Sequence, residues 1–447
     1  MGGLPETYSS WMAESHRSNG ILARSQAAPL SARLRKDHYL KTEDDKSRGM
    51  MHLLAAAGDC VLLEFLLHQK FYDPKEKYEH GMTPLSFAAK HGHKKVVQAL
   101  LDRPESDTQS RDDYGRTPLS HAACNGHKDV VRLLLARSST KADWRDQAGR
   151  TPLSYAAQNG HNEVVQLLLS LPHVKASSRD ENGLTPIWHA AWGGYKDVVQ
   201  SLLSRPDVNV NERDNDGSTA LWRAAWRGHA EVVKLLLAQP NIEADAKAAN
   251  GLTPLWYAAW NGNTDVVRML LARPDVEADL RDKNGSTTLS HAASTGNKAV
   301  AQLLLARPDV NADSRNRDDR SPLSYAAEHG HADIVKLLLL ARPHVKADSM
   351  DGNGSTPLWH AASRGHKEVV ELLLARSDVK ADSRGNCGST PLSQAAWGGH
   401  REIVQLLLAR KDVSVDTRDK YGQSPLDYAA ESGHERIVQL LLLSRDG

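Results

Sequence analysis

The phrase Thr-Pro-Leu, or a close variant of it, returns every 34 residues at Thr83, Thr117, Thr151, Thr185, Thr219, Thr253 and Thr287. It continues at Ser321, Thr356, Thr390 and Ser424, with one step of 35 where the run Leu337 to Leu340 carries an extra leucine. A strict period of this length excludes most globular architectures, because one unit is too small to bury a core and must stack on copies of itself. A glycine keeps its register in twelve copies, from Gly58 and Gly92 to Gly399 and Gly433, so a degenerate copy precedes the eleven that carry the phrase. The chain therefore divides into a non-repeat segment at 1–48, a cap repeat at 49–82, repeats at 83–423 and a last repeat at 424–447.

Each unit reads as two short helices and a turn. Thr-Pro supplies an N-cap and a proline at the first helical position, Ala-Ala is a small helical contact, and the glycine closes the first helix in a left-handed conformation. The second helix carries Val-Val-x-Leu-Leu-Leu, as at Val164, Val165 and Leu167 to Leu169, which makes a broad apolar stripe for the core. The polar remainder, such as Arg273 to Gly285 with its Asn-Gly turn, reads as a protruding hairpin.

Taken together, the phrase G-x-T-P-L-x-x-A-A-x-x-G-H-x-x-V-V-x-L-L-L resembles the ankyrin repeat over about residues 49 to 447. The resemblance implies an all-α solenoid of about twelve stacked helix-turn-helix units with β-turn hairpins. Two departures stand out. The unit has 34 residues where the family usually has 33, the extra one falling in Ala-Arg-Pro-Asp. The histidine usual after Thr-Pro-Leu is Ser, Trp or Asp here, which bears on the family's histidine-mediated hydrogen bonds.

Charge and cysteine content narrow the function. With 56 Lys+Arg against 55 Asp+Glu the net charge is +1, so no strong field recruits nucleic acid or a membrane surface. Three scattered cysteines with no CxxC pair suit a reducing compartment. The longest apolar runs are far below the roughly 18 to 20 residues of a membrane span, and Met1 to Glu6 has no signal-peptide character. A cytoplasmic address follows, with the nucleus as the lesser reading from the basic cluster Arg33, Arg35 and Lys36. Residues Leu30 to Leu40 are expected to form an amphipathic helix over the first repeat.

No residues are set out for chemistry. There is no phosphate loop, no G-x-S-x-G and no H-E-x-x-H. Histidines number 21, but His93, His127, His161, His229, His331, His366, His400 and His434 follow the recurring glycine one per repeat. A ladder at repeat spacing cannot converge on one ion, so they are structural rather than metal ligands. His121, His189, His291 and His360 occupy another register, shared with Tyr155, Tyr257, Tyr325 and Tyr428, and read as packing. The recurring Arg-Asp pairs, such as Arg111-Asp112 and Arg145-Asp146, are expected to be solvated ion pairs. Neither a cofactor nor a metal is expected.

These absences favour a non-catalytic scaffold that binds a protein or peptide on a concave face. A rival reading is the sensor portion of a fungal NLR-like nucleotide-binding signalling protein, whose arrays the sequence resembles, with the ATPase module elsewhere. The array is expected to be least stable at its ends, and the apolar Ile437 to Leu443 stretch to invite self-association through terminal repeats.

Tryptophan marks the candidate site, since ten Trp against three Phe is an unusual ratio. Trp188, Trp222, Trp256 and Trp359 follow the Thr-Pro-Leu phrase or its variants; Trp192, Trp226, Trp260 and Trp397 follow Ala-Ala. The two registers lie four residues apart on one helix face. In ankyrin-like arrays the residues after Ala-Ala face the groove, which places Trp192, Trp226 and Trp260 in a row with Arg227, Asn261 and Tyr195 nearby. Trp188, Trp222 and Trp256 are expected behind them, between repeats.

Overall fold

The computed structural model describes residues 49–68, 73–341 and 345–445; the expected amphipathic helix at 30–40 and the basic cluster lie outside them. Among the described residues the chain forms 24 α-helices in twelve pairs. A typical pair is Pro118–Cys124 and Lys128–Leu135. The substantial helix contacts lie within a repeat or between adjacent repeats, and first helices stack on one another more closely than second helices do. The paired alanines explain that asymmetry. Ala122 and Ala123 are fully buried on the first helix, and so small a side chain lets close-packed backbones approach. The second helices meet through Val130, Val131 and Leu134, which are equally buried but bulkier. The apolar core runs unbroken from Met51 to Leu441.

Local chemistry sets each first helix. Thr117 accepts a hydrogen bond from the Ser120 amide, and the Ser120 hydroxyl accepts one from the Thr117 amide. This reciprocal cap stands where the family's usual histidine would be. The histidine-mediated bonds are carried by the other register instead. His127 Nε2 donates to the Lys90 carbonyl at 3.0 Å and His161 Nε2 to the Cys124 carbonyl at 3.0 Å, each reaching the preceding repeat. Where the histidine is absent in two later repeats, Asn263 and Asn297 donate to the equivalent carbonyls of Trp226 and Trp260 and also to those of Ala225 and Ala259 one residue earlier.

The hairpins close through backbone bonds such as Asp112 N–H to Arg116 C=O, and no strand forms among the described residues beyond two isolated bridges. Their tips join neighbours: Gln147 N–H donates to Tyr114 C=O at 2.9 Å, and Glu181 N–H to Ala148 C=O at 3.0 Å. The Arg-Asp pairs are not the solvated ion pairs that the sequence suggested. Asp112, Asp146, Asp180 and Asp214 are buried, because each carboxylate receives two amides of its own turn, as Asp146 does from Ala148 and Arg150. Arg145, Arg179 and Arg213 turn outward and bond a carbonyl one repeat on, as Arg145 does to Arg179 at 2.8 Å, while Arg111 lies over the Trp144 ring of the next repeat.

The 34th residue also has a place. Arg205, in the Arg-Pro-Asp step, donates to the Leu169 carbonyl at the end of the preceding second helix and pairs with Asp207 at 2.9 Å. Arg273, Arg307 and Arg410 repeat this arrangement, putting a cation at a helix C-terminus where the backbone dipole favours it. The extra leucine lengthens one second helix to Ala332–Ala341 and leaves Leu340 exposed. Leu442 and Leu443 are exposed at the far end of the array, and Val61 and Phe65 at the near end.

Candidate functional site

Four consecutive first helices, Pro186–Gly193, Ala220–Arg227, Pro254–Trp260 and Thr288–Thr295, bear a continuous aromatic assembly. Within a helix, Trp188 stacks on Trp192 with centroids 5.8 Å apart, and Trp256 on Trp260 at 5.2 Å; Trp222 and Trp226 meet edge to face at 5.5 Å. Between helices, Trp192 touches Trp226 at 5.4 Å. Trp226 and Trp260 are not joined directly. Tyr257 links them, lying 5.8 Å from Trp226 and 4.8 Å from Trp256 as well as 4.2 Å from Trp222. His291 follows, 4.5 Å from Trp256 and 5.6 Å from Trp260.

Depth separates the two tryptophan registers. Trp188 and Trp222 are 3% and 4% exposed, while Trp260 is 45% exposed and Trp192 and Trp226 are half-buried. The deep rings need acceptors for their N–H groups. Trp188 Nε1 donates to Asp214 at 3.1 Å and Trp222 Nε1 to the Leu252 carbonyl at 3.3 Å. Trp256, half-buried, has a buried Nε1 with no acceptor among the described residues.

At the centre of the assembly lies a residue not singled out from the sequence. The Arg223 guanidinium sits 4.8 Å from the Trp188 ring, 4.7 Å from Trp222, and 5.6 Å from both Trp192 and Trp226. It donates to Asp214 at 3.0 Å, and that carboxylate is almost wholly buried. A cation among four electron-rich ring faces and beside a carboxylate is doubly stabilised. Arg223 stands in the register that holds His or Tyr in the other copies around it, and that single departure was the signal available in the sequence.

Arg227 lies over the outer face of Trp192 at 4.5 Å, and Asn261 donates to the Trp226 carbonyl at 2.7 Å. Tyr195 falls elsewhere. It occupies the inter-repeat histidine register, pressed against Gly160 and Gly193, and makes no ring contact with the tryptophans. Trp397, 55% exposed, stands apart in a later repeat and has no ring partner among the described residues. Trp359 is half-buried and donates to Ser389. Among the described residues no three His, Cys, Asp or Glu side chains are grouped to hold a metal ion, and no helix is long and apolar enough to cross a membrane.

Stacked helix pairs, reciprocal Thr-Ser caps and hairpin tips joined from copy to copy define a helical repeat solenoid. The family model for ankyrin repeats matches residues 51–144, 138–214, 206–282, 274–349, 339–419 and 379–447, and the chain belongs to that family. Among curated proteins none matches the chain. Ankyrin repeats generally serve as protein–protein interaction modules.

Proposed function

We propose that this protein is a non-catalytic scaffold that captures an extended protein segment on its first-helix side, at Trp192, Trp226 and Trp260. The observation that carries the reading is the aromatic row, half-buried at Trp192 and Trp226 and exposed at Trp260, resting on the buried rings of Trp188 and Trp222 with the Arg223 guanidinium packed among them. Side chains fixed in this way lose little entropy on binding, and tryptophan is among the residue types enriched at the energetic anchors of protein interfaces. Closer stacking of first helices than of second helices curves the array toward the same side, which supports a concave groove. A cytoplasmic setting agrees with the three free cysteines. The exposed leucines Leu442 and Leu443 offer a separate surface for self-association, to be checked by light scattering over a concentration series.

The test is selection of binders from a random peptide display library on the immobilised protein. Replacing Trp192, Trp226 and Trp260 together by Ser is expected to abolish binding while helical circular dichroism persists. Trp397→Ser is expected to leave binding intact. Binders that the triple variant retains, or a library without binders, would refute the reading.

A further inference from the structure

The repeat register gives the groove an internal template. Arg227, Asn261 and Thr295 stand 35 residues after Trp192, Trp226 and Trp260 respectively. Arg227 covers its tryptophan with a guanidinium. The other two cannot. Asn261 is committed to the Trp226 carbonyl, and Thr295 donates back to the His291 carbonyl at 2.9 Å. The deeper register changes in parallel, from Arg223 to Tyr257 to His291. Trp192 thus lies beside two guanidiniums and Trp226 beside one, whereas none among the described residues lies over Trp260. The next repeat also presents Ser290 and Ser294 in place of tryptophans, so the aromatic assembly ends in a step beside the exposed Trp260 face.

Charge changes in the same direction. At the Trp188 end the buried Asp214 is paired with Arg223. At the Trp260 end the corresponding carboxylate, Asp282, is held by His291 at 3.0 Å, and burial pushes the His291 pKa down, so this donor is neutral near pH 7. Among the described residues no guanidinium or ammonium group is bonded to Asp282. One end of the assembly carries a carboxylate with its cation; the other carries a carboxylate and two ring faces without one.

We infer that the step beside Trp260 receives an arginine side chain of the bound segment, laid over the ring as Arg227 lies over Trp192. This deepens the peptide-binding reading and rests on it. A guanidinium is weakly hydrated and planar, which suits it to an aromatic face better than an ammonium. A cation over a tryptophan face contributes more as water is excluded, and the serines of the next repeat leave room for that.

The experiment uses the peptides selected on the intact protein, each synthesised with its arginines and again with citrulline, which keeps the shape and removes the charge. Fluorescence anisotropy is expected to show a loss of about 3- to 30-fold in affinity on one arginine-to-citrulline change. That discrimination is expected to vanish in Trp260→Ala and to persist in Trp397→Ala. Thr295→Arg, which supplies the missing cation from the protein itself, is expected to weaken arginine peptides toward the citrulline level. Peptides that bind alike in both forms, or a discrimination that survives Trp260→Ala, overturn this inference and leave the peptide-binding reading standing. A library that yields no binder overturns both.

Discussion

A Cβ placed on Gly92 would overlap Nδ1 of His127 in the next repeat, and the same His127 ring donates from Nε2 to the Lys90 carbonyl two residues before that glycine. Gly92 is therefore fixed twice, by its left-handed backbone at φ 77° and by the approach of the neighbouring ring. Gly433 shares the backbone conformation at φ 75°, but a Cβ there would meet nothing within 4 Å among the described residues. Gly433→Ala is expected to lower stability by about 1–2 kcal/mol, the cost of left-handed backbone alone. Gly92→Ala is expected to exceed that clearly, and His127→Ala in the Gly92→Ala background to recover part of the excess. Urea unfolding of the four proteins checks the difference.

Buried histidines give the array a defined pH dependence. Burial pushes the pKa of His121, His127, His161, His229, His291 and His360 down, below the unfolded value of about 6.5. Their contribution is present above that pH and is lost as pH falls through the folded values. A second loss comes later. Burial of Asp112 opposes its ionisation, but the His121 hydrogen bond and the Arg116 charge outweigh that and hold its pKa at about 2. Its contribution is present above about 3.9 and disappears as pH approaches the folded value. The melting temperature is expected to fall from about pH 6.5 downward. His127→Asn, which can keep the backbone bond as Asn263 does, is expected to flatten that fall, as calorimetry across the range would show.

The indole N–H groups make a matched pair of substitutions. Trp188→Phe removes one of the donors to the buried Asp214 and is expected to cost about 1–3 kcal/mol. Trp256→Phe removes a donor that has no acceptor and is expected to cost far less. Denaturant midpoints that rank the two the other way would contradict this account.

Arg223 is expected to be the most sensitive residue of the assembly. Its loss leaves Asp214 as a buried charge without its cation, a defect of about 3–5 kcal/mol. Arg223→Ala is therefore expected to unfold well below the parent protein. Arg223→Tyr is expected to recover part of the loss, because Tyr155 hydrogen-bonds Asp146 in the same register one copy earlier than His189. Thermal melts of both variants test the ranking.

What the sequence made legible was whatever recurs. Thr117, Ala122, Ala123, Gly126 and Val130 announce cap, contact, terminator and core because each is the same choice made many times at one spacing. Individual departures were harder to read. Arg223 looks like a solvated cation in one dimension, and only the fold brings Trp188 and Asp214 to it from the preceding helix and its own hairpin. The buried aspartates were misread for a related reason: sequence proximity of Arg145 and Asp146 suggests a pair, whereas the turn sends one side chain inward and the other to the next copy. The row of Trp192 and Trp226 follows from register alone, but the bridge through Tyr257 depends on how neighbouring helices are offset.

The reach of the polar bridges has a consequence for the history of such a chain. His127 reaches back 37 residues to Lys90 and Arg145 reaches forward 34 to Arg179, and the substantial helix contacts stop at the adjacent repeat. Excising one whole period in frame would bring together two surfaces that each already accommodate a neighbour of the same kind. Duplication and loss of coding units can then lengthen or shorten the molecule without inventing a new interior. A recognition patch confined to a few copies can meanwhile drift along the array, so the scaffold and its specificity evolve on separate clocks.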